Sequence, residues 1–289
     1  MEKILVTGAT GHLGNAVIER LVKDMQPESI AVMTRQEEKR IAFHNKGFTA
    51  YVASYDDVRS LEKAMEGVNT VLLISSGDQG DRMQEHKNVV DAAKRTGVKN
   101  IAYTSRCLRD REALVNTLMI EHFKTEDYII ASGMNYIFFR NILYMDVIPQ
   151  FIGGSPALEQ GIFLPAGNGR VSYALRSELG EAMANVLLRK SFDNSIYDFT
   201  GNNSYSFYDV ADVLTALSGK EVSYTDVETA AFVGRMLQRN LPEPLIQKIV
   251  DFITDIKNNQ EAEITSTLEK YLGRKPTALK EGLKILFGL

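Results

Sequence analysis

A single cysteine, Cys107, leaves no possibility of a disulfide within the chain, which suits a reducing compartment. Histidine is nearly as scarce. His12, His44, His86 and His122 are scattered, and no Cys or His pair falls at zinc spacing, so no metal site is expected. Long apolar runs are missing too: none approaches the roughly 20 residues that span a bilayer. The opening residues also lack the charged-then-apolar layout of a secretory leader. A cytoplasmic protein with no membrane role is expected. Lys and Arg number 33 against 37 Asp and Glu, for a net charge of −4, and no basic block is present. The electrostatic footprint of a nucleic-acid binder is therefore lacking. Internal repeats and low-complexity linkers are absent as well. What is there is a chain with 44% hydrophobic and 24% charged residues, able to bury a sizeable core. Its expected partner is a small molecule, with monomer and homodimer both open.

At 289 residues the chain exceeds the commonest single-domain size, and its patterning changes about halfway. Short apolar runs first alternate with amphipathic segments. KILVT precedes a helix over 12–24, SIAVMT one over 36–46, FTAYVA one over 57–66, NTVLLIS one over 79–96, NIAYTS one over 112–132, and NYIFFR closes the series. Crossovers of that length force parallel strands, and near-continuously apolar strands imply a sheet covered on both faces. The expected fold class is α/β, a Rossmann-like doubly wound parallel sheet over 1–141. Beyond it, Pro149, Gly153, Gly154 and Pro156 break the rhythm. Strands are expected again at RVSYAL, SIYDFT and EVSYT, helices near 176–190 and 206–218, and a largely helical tail from 226. Residues 142–289 thus read as a smaller α+β substrate lobe, interleaved with the core.

The stretch VTGATGHLG places Gly8, Gly11 and Gly14 directly after the first strand. A helix that opens there has first-turn N–H groups without intrahelical partners, and glycines let a pyrophosphate approach them. The spacing is G-x-x-G-x-x-G, unlike the common G-x-G-x-x-G fingerprint. Its position at the head of a βαβ series is what favours a nucleotide over a purely structural turn. The end of the second strand, AVMTRQEEKR, carries Thr34 and Arg35, with no acid before Glu37. An acid there would take a ribose 2′-hydroxyl, whereas a guanidinium suits a 2′-phosphate. NADPH is expected over NADH, the alternative being that Arg35 is one surface cation at a charged helix start.

VTGATGHLG, Arg35, SYDD at 54–57, the run LLISSGDQGDRMQEHKNVVDAAKRTGVKNIAYTS at 72–105, EHFKTE at 121–126, FFRN at 138–141 and AGNGR at 166–170 together resemble the NmrA-like group of atypical short-chain dehydrogenases. The likeness runs over nearly the whole chain. It implies a Rossmann fold, NADPH as cofactor, and reduction of a quinone or a similar flat electrophile. It also implies that Gly8, Thr10, Gly11, His12, Leu13 and Gly14 form the phosphate loop and that Arg35 takes the 2′-phosphate. Tyr55 and Asp56 match the adenine-side turn, and Ser75 and Ser76 the strand end under the cofactor. Tyr55 reads equally as an aromatic that caps a strand end, and Asp56 and Asp57 as helix N-caps.

The Tyr-x-x-x-Lys pair of ordinary short-chain dehydrogenases, in which the lysine lowers the tyrosine pKa, is missing from the helix after the fifth strand. The one literal match, Tyr271 to Lys275, lies far beyond it. That helix instead carries His122, Thr125 and Glu126 on one face. His122 is the candidate to hydrogen-bond the nicotinamide ribose or the substrate oxygen, and Ser105 occupies the place of the superfamily's catalytic Ser or Thr. Hydride transfer to a quinone yields a stabilised phenolate that can take its proton from water, so positioning can carry the reaction. Asn141 and Tyr144, which follow the sixth strand, are candidate substrate contacts. Two further readings stay open: a regulator of the same group that senses NADP(H) with little or no turnover, and a nucleotide-sugar epimerase or other short-chain enzyme. The missing Tyr-Lys pair supports the first and opposes the second.

Overall fold

A computed structural model describes residues 2–77 and 80–289. In chain order the strands are β1 (Ile4–Val6), β2 (Ile30–Thr34), β3 (Thr49–Val52), β4 (Thr70–Leu73), β5 (Asn100–Arg106), β6 (Asn135–Asn141), β7 (Ile162–Leu164), β8 (Ser195–Phe199) and β9 (Tyr224–Asp226). The helices are α1 (His12–Leu21), α2 (Glu37–His44), α3 (Val58–Met65), α4 (Arg82–Arg95), α5 (Thr117–Ser132), α6 (Ile148–Ile152), α7 (Ala157–Gln160), α8 (Arg176–Leu187), α9 (Phe207–Ser218), α10 (Thr229–Gln238), α11 (Glu243–Lys257), α12 (Thr267–Leu272) and α13 (Leu279–Phe287). The expected start of the fourth helix, position 79, lies outside the described residues.

Two units emerge, and both are discontinuous. The first comprises residues 1–106, 121–141 and 176–198; the second, 107–120, 142–175 and 199–289. The division is therefore not one cut at 141. Residues 107–120 belong to the second unit, and α8 returns to the first.

In the first unit the strand order is β3-β2-β1-β4-β5-β6, with β8 beside β6. The five neighbouring pairs from β3 to β6 are parallel. Strands β1, β2 and β4 are buried at every position, which is why they read as continuous apolar runs rather than alternating ones. Leu61, Met65, Val89, Val90 and Ala93 of α3 and α4 join Leu5, Val71, Leu73, Ile101 and Tyr103 in one core cluster. Helices α1 and α8 pack closely because Gly180 lies against Ala16, only 2.5 Å separating Ala16 Cβ from the place a Gly180 Cβ would take. The strand order reverses between β1 and β4, and in an open α/β sheet the carboxyl ends at such a switch point form the binding crevice.

The second unit holds a two-stranded parallel sheet, β7 with β9, and the helices from α9 onward. RVSYAL is not a strand, contrary to expectation. Its backbone groups go to three different segments: Val171 bridges Tyr205, Ser172 N donates to Glu261 O at 3.0 Å, and Ala174 O accepts from Met145 N at 2.8 Å. No single ladder can form. The helix expected from 112 starts at Thr117, preceded by a 3-10 turn at Arg111–Ala113. Asp255 of α11 binds the amides of Val115 and Asn116 at 3.1 and 3.2 Å.

Candidate functional site

After β1 the backbone turns left-handed at Gly8, with φ +58°, and Gly11 N closes the turn on Gly8 O at 3.0 Å. Helix α1 then starts with Gly11 as its N-cap. Among the described residues no side chain caps its first amides, and no acid stands in its first turn. Those donors are what a helix N-terminus offers to an anion. Gly14 has a different part: a Cβ there would lie 2.3 Å from Gly8 O and 2.9 Å from Gly8 C. Only glycine lets α1 sit against the loop.

A cavity of about 390 Å³ opens over this turn. Among the expected cofactor residues, Gly8, Thr10, Gly11, Arg35, Tyr55, Asp56, Ser75 and Ser76 all line it. His12, Leu13 and Gly14 do not; Leu13 and Gly14 are buried beneath the loop and His12 is exposed. Met33, Thr34, Ser54, Ile74 and Glu85 also line the cavity, and of these only Thr34, beside Arg35, was singled out from the sequence. Met33 and Thr34 close β2, Ile74 follows β4 and Ser54 stands two residues beyond β3, so these four follow from strand register. Glu85 comes from α4, and nothing local in the sequence points to it.

Arg35 is exposed and forms no ion pair among the described residues. Glu37, the nearest acid, is held instead by Arg40 through three contacts of 2.6 to 2.9 Å. This hydrogen bonding keeps the Glu37 carboxyl below its usual range. The Tyr55 hydroxyl is paired with Thr7 Oγ1 and donates to Ile74 O at 2.7 Å. Burial pushes its pKa upward, so Tyr55 is a neutral strut that has only its ring to offer the cavity. Asp57, not Asp56, caps α3, accepting from Arg59 N at 3.1 Å and Ser60 N at 3.2 Å. The end of β4 is fastened from below, with Ser75 N donating to Thr104 Oγ1 at 2.8 Å and Ser76 N to His86 Nε2 at 3.0 Å.

That last bond fixes a tautomer. Because His86 Nε2 accepts, its proton is on Nδ1, which donates to Thr125 Oγ1 at 2.9 Å; the Thr125 hydroxyl then donates to Glu121 O at 2.9 Å. Burial, with Arg82 nearby, holds the His86 pKa down at about 3. His122 is enclosed in the same way. Arg82 Nη2 lies 2.9 Å from its Nε2 and 3.3 Å from its Nδ1, and Nδ1 lies 3.0 Å from the Tyr103 hydroxyl. Burial and the Arg82 charge keep His122 neutral, well below its ordinary pKa. Glu126 binds Arg140 in bidentate fashion at 2.9 and 2.6 Å. The three polar residues on the α5 face are thus all engaged inside the first unit, and His122 does not line the cavity.

Ser105 is buried, does not line the cavity, and its Oγ has no hydrogen-bond partner among the described residues. Asn141 is also buried, with Oδ1 unpartnered among the described residues and Nδ2 3.7 Å from Met183 Sδ. The β5–β6 register pairs Ser105 with Arg140 and Arg106 with Asn141, so Ser105 and Asn141 face opposite sides of the sheet. Tyr144 belongs to the second unit, as does Tyr271 of α12, whose ring centroid is 6.1 Å from that of Phe199. Among the described residues no helix is long and apolar enough to cross a membrane.

The chain matches the NmrA-like family over residues 1–285. It is 34% identical over 288 residues to quinone oxidoreductase 2 of Escherichia coli K12, covering 99% of each chain. The crystal structure of an Escherichia coli NADPH-dependent quinone oxidoreductase complexed with NADPH has a TM-score of 0.90 to it, at 34% identity over 98% of this chain and 99% of the other. Citrobacter sp. triphenylmethane reductase complexed with NADP(H) has a TM-score of 0.89 at 32% identity, covering 98% and 99%.

Proposed function

This chain belongs to the NmrA-like family, and from that premise we propose that it is an NADPH-dependent oxidoreductase that reduces a quinone or a similarly flat electrophile. The observation that carries the reading is Arg35, an exposed guanidinium without an ion pair among the described residues, in the lining of a cavity that also contains the Gly8–Gly11 turn. The residues present fit the cofactor. Gly8 supplies a left-handed turn, α1 supplies uncapped first-turn amides for a pyrophosphate, and Arg35 suits a 2′-phosphate. We assign the adenine side to the Tyr55 ring and Asp56, and the floor of the site to Ser75 and Ser76, the strand end that Thr104 and His86 hold in place.

NADPH supplies a hydride when bound; the chain's own residues bind, orient and shield. Hydride addition to a quinone makes a stabilised phenolate, and a proton from water completes the hydroquinone, so no side chain has to donate one. His122 suits a positioning part. Neutral, and with both ring nitrogens engaged, it ties Arg82 of α4 to Tyr103 of β5. Ser105 is the hydroxyl we assign to the acceptor oxygen. A buried group without a partner costs about 1 to 3 kcal/mol, and a substrate oxygen that accepts a hydrogen bond from the Ser105 hydroxyl removes that cost. Asn141 and Tyr144 lie in separate units and receive no joint role.

The test is to follow NADPH at 340 nm with the purified chain and a water-soluble naphthoquinone. Quinone-dependent oxidation with one hydroquinone formed per NADPH is expected. Tight NADPH binding without turnover on any quinone would leave the nucleotide-sensing regulator as the better account.

A further inference from the structure

A second, larger cavity belongs to the second unit. It occupies about 600 Å³ and is lined only by residues of the second unit. Its walls come from α6, α7, β7, α10 and the middle of α11, and they are largely apolar: Phe151, Phe163, Phe232, Met236, Leu241 and Ile249 all face it. Drug-sized ligands are held in pockets of roughly 300 to 1,000 Å³ with such walls and a few placed polar groups.

The charged groups of the lining are Arg235 and Arg239, with no carboxylate among them. Four residues apart, at the end of α10, they share one helix face, where like charges repel. Among the described residues neither makes an ion pair. The Arg235 guanidinium carbon lies 4.4 Å from the centroid of the Phe163 ring, a cation–π contact that fixes the group and leaves its N–H donors free in the guanidinium plane. A helix C-terminus favours cations in its last turn. That preference does not account for a wide apolar wall beside them.

We propose that this cavity binds an organic anion, a carboxylate or sulfonate with an extended or flat apolar body, whose head group pairs with Arg235 and Arg239 while its body covers the aromatic wall. Its lining shares no residue with that of the nucleotide cavity, and the proposal does not rest on the reductase reading.

The test uses the full chain saturated with NADP+, which keeps a probe anion from Arg35 and the α1 amides. Anilinonaphthalene sulfonate is titrated by fluorescence and then displaced with decanoate or with decanol. Probe binding that persists under saturating NADP+ is expected, with decanoate displacing it at concentrations at least tenfold lower than decanol. Arg235→Gln with Arg239→Gln should abolish that preference for the acid at an unchanged melting temperature, and the double lysine variant should retain most of it. Equal competition by acid and alcohol, loss of the probe on NADP+ saturation, or a glutamine variant that still prefers the acid would each overturn the proposal. If the glutamine variant does not fold, the acid-against-alcohol comparison on the unaltered chain decides.

Discussion

Three glycines that look equivalent in VTGATGHLG should respond very differently to one added methyl group. At Gly14 the new Cβ would meet backbone alone, at 2.3 Å from Gly8 O, whereas real Cβ atoms stay beyond 3.0 Å. Loop and helix must separate by about 0.7 Å, the difference between those two distances, and neither is a flexible side-chain end. Forced overpacking of this kind costs about 1 to 3 kcal/mol. If the strain falls on the loop, it corresponds to a weakening of NADPH by roughly five- to 150-fold; if it falls on the fold, the melting temperature drops instead. Gly8→Ala meets a different obstacle. Its φ of +58° costs an L-residue about 1 to 2 kcal/mol, and its Cβ would touch Ile74 Cβ at 3.2 Å. Gly11→Ala is the control, since its φ of −81° is ordinary and its nearest contact is 3.3 Å. Titrating NADPH by fluorescence and melting each variant with and without nucleotide separates the two routes. The expected result is substantial loss for Gly14→Ala and Gly8→Ala, and less than about threefold for Gly11→Ala. A Gly14→Ala protein that binds and melts like the unaltered chain would refute the reasoning, as would Gly11→Ala proving the most damaging.

Arg35→Ala should weaken NADPH at least tenfold and leave NADH nearly unchanged, because a guanidinium recognises the 2′-phosphate and nothing comparable on NADH; calorimetric titration of both nucleotides checks it, and equal losses would count against the assignment. His122→Ala should lower kcat/KM modestly, about tenfold, with partial recovery in His122→Asn. The rate with a quinone should show no inflection near pH 6.5 that disappears with the histidine; such an inflection, joined to a thousandfold loss, would make His122 the proton donor. Because burial holds His86 at about 3 and His122 below its ordinary value, the unfolded chain binds more protons than the folded one as pH falls from about 6.5 toward 3. Stability therefore declines on acidification through that window, by at most about 1.4 kcal/mol per pH unit for each histidine. Calorimetric melting temperatures that stay flat from pH 7 to pH 4 would contradict this. Tyr271→Phe should leave turnover unchanged, since that residue stands in α12 of the second unit, and a hundredfold fall in kcat with an intact fold would show otherwise.

Much of the nucleotide-binding unit is legible from residues 1 to 141 because the signals are local. Strands covered on both faces must be apolar throughout, helices between them carry a 3.6-residue period, and a left-handed turn calls for glycine. The βαβ series, the turn at Gly8 and the offer of Arg35 at the end of β2 follow from those facts alone. The polar residues of α5 are another matter. The sequence places His122, Thr125 and Glu126 on one face, but their partners are Arg82, Tyr103, His86 and Arg140, 14 to 40 positions away. Whether a histidine is a donor or an enclosed neutral acceptor depends on those partners and on burial, and no period records either. The same holds for RVSYAL, which has the composition of a strand but no single neighbour to pair with, and for α8, which returns to the first unit because Gly180 fits against Ala16. Local chemistry determined the turn and the sheet. Which polar groups are free to act was decided by contacts between segments remote in the chain, where the cost of burying an unpaired group selects the partner.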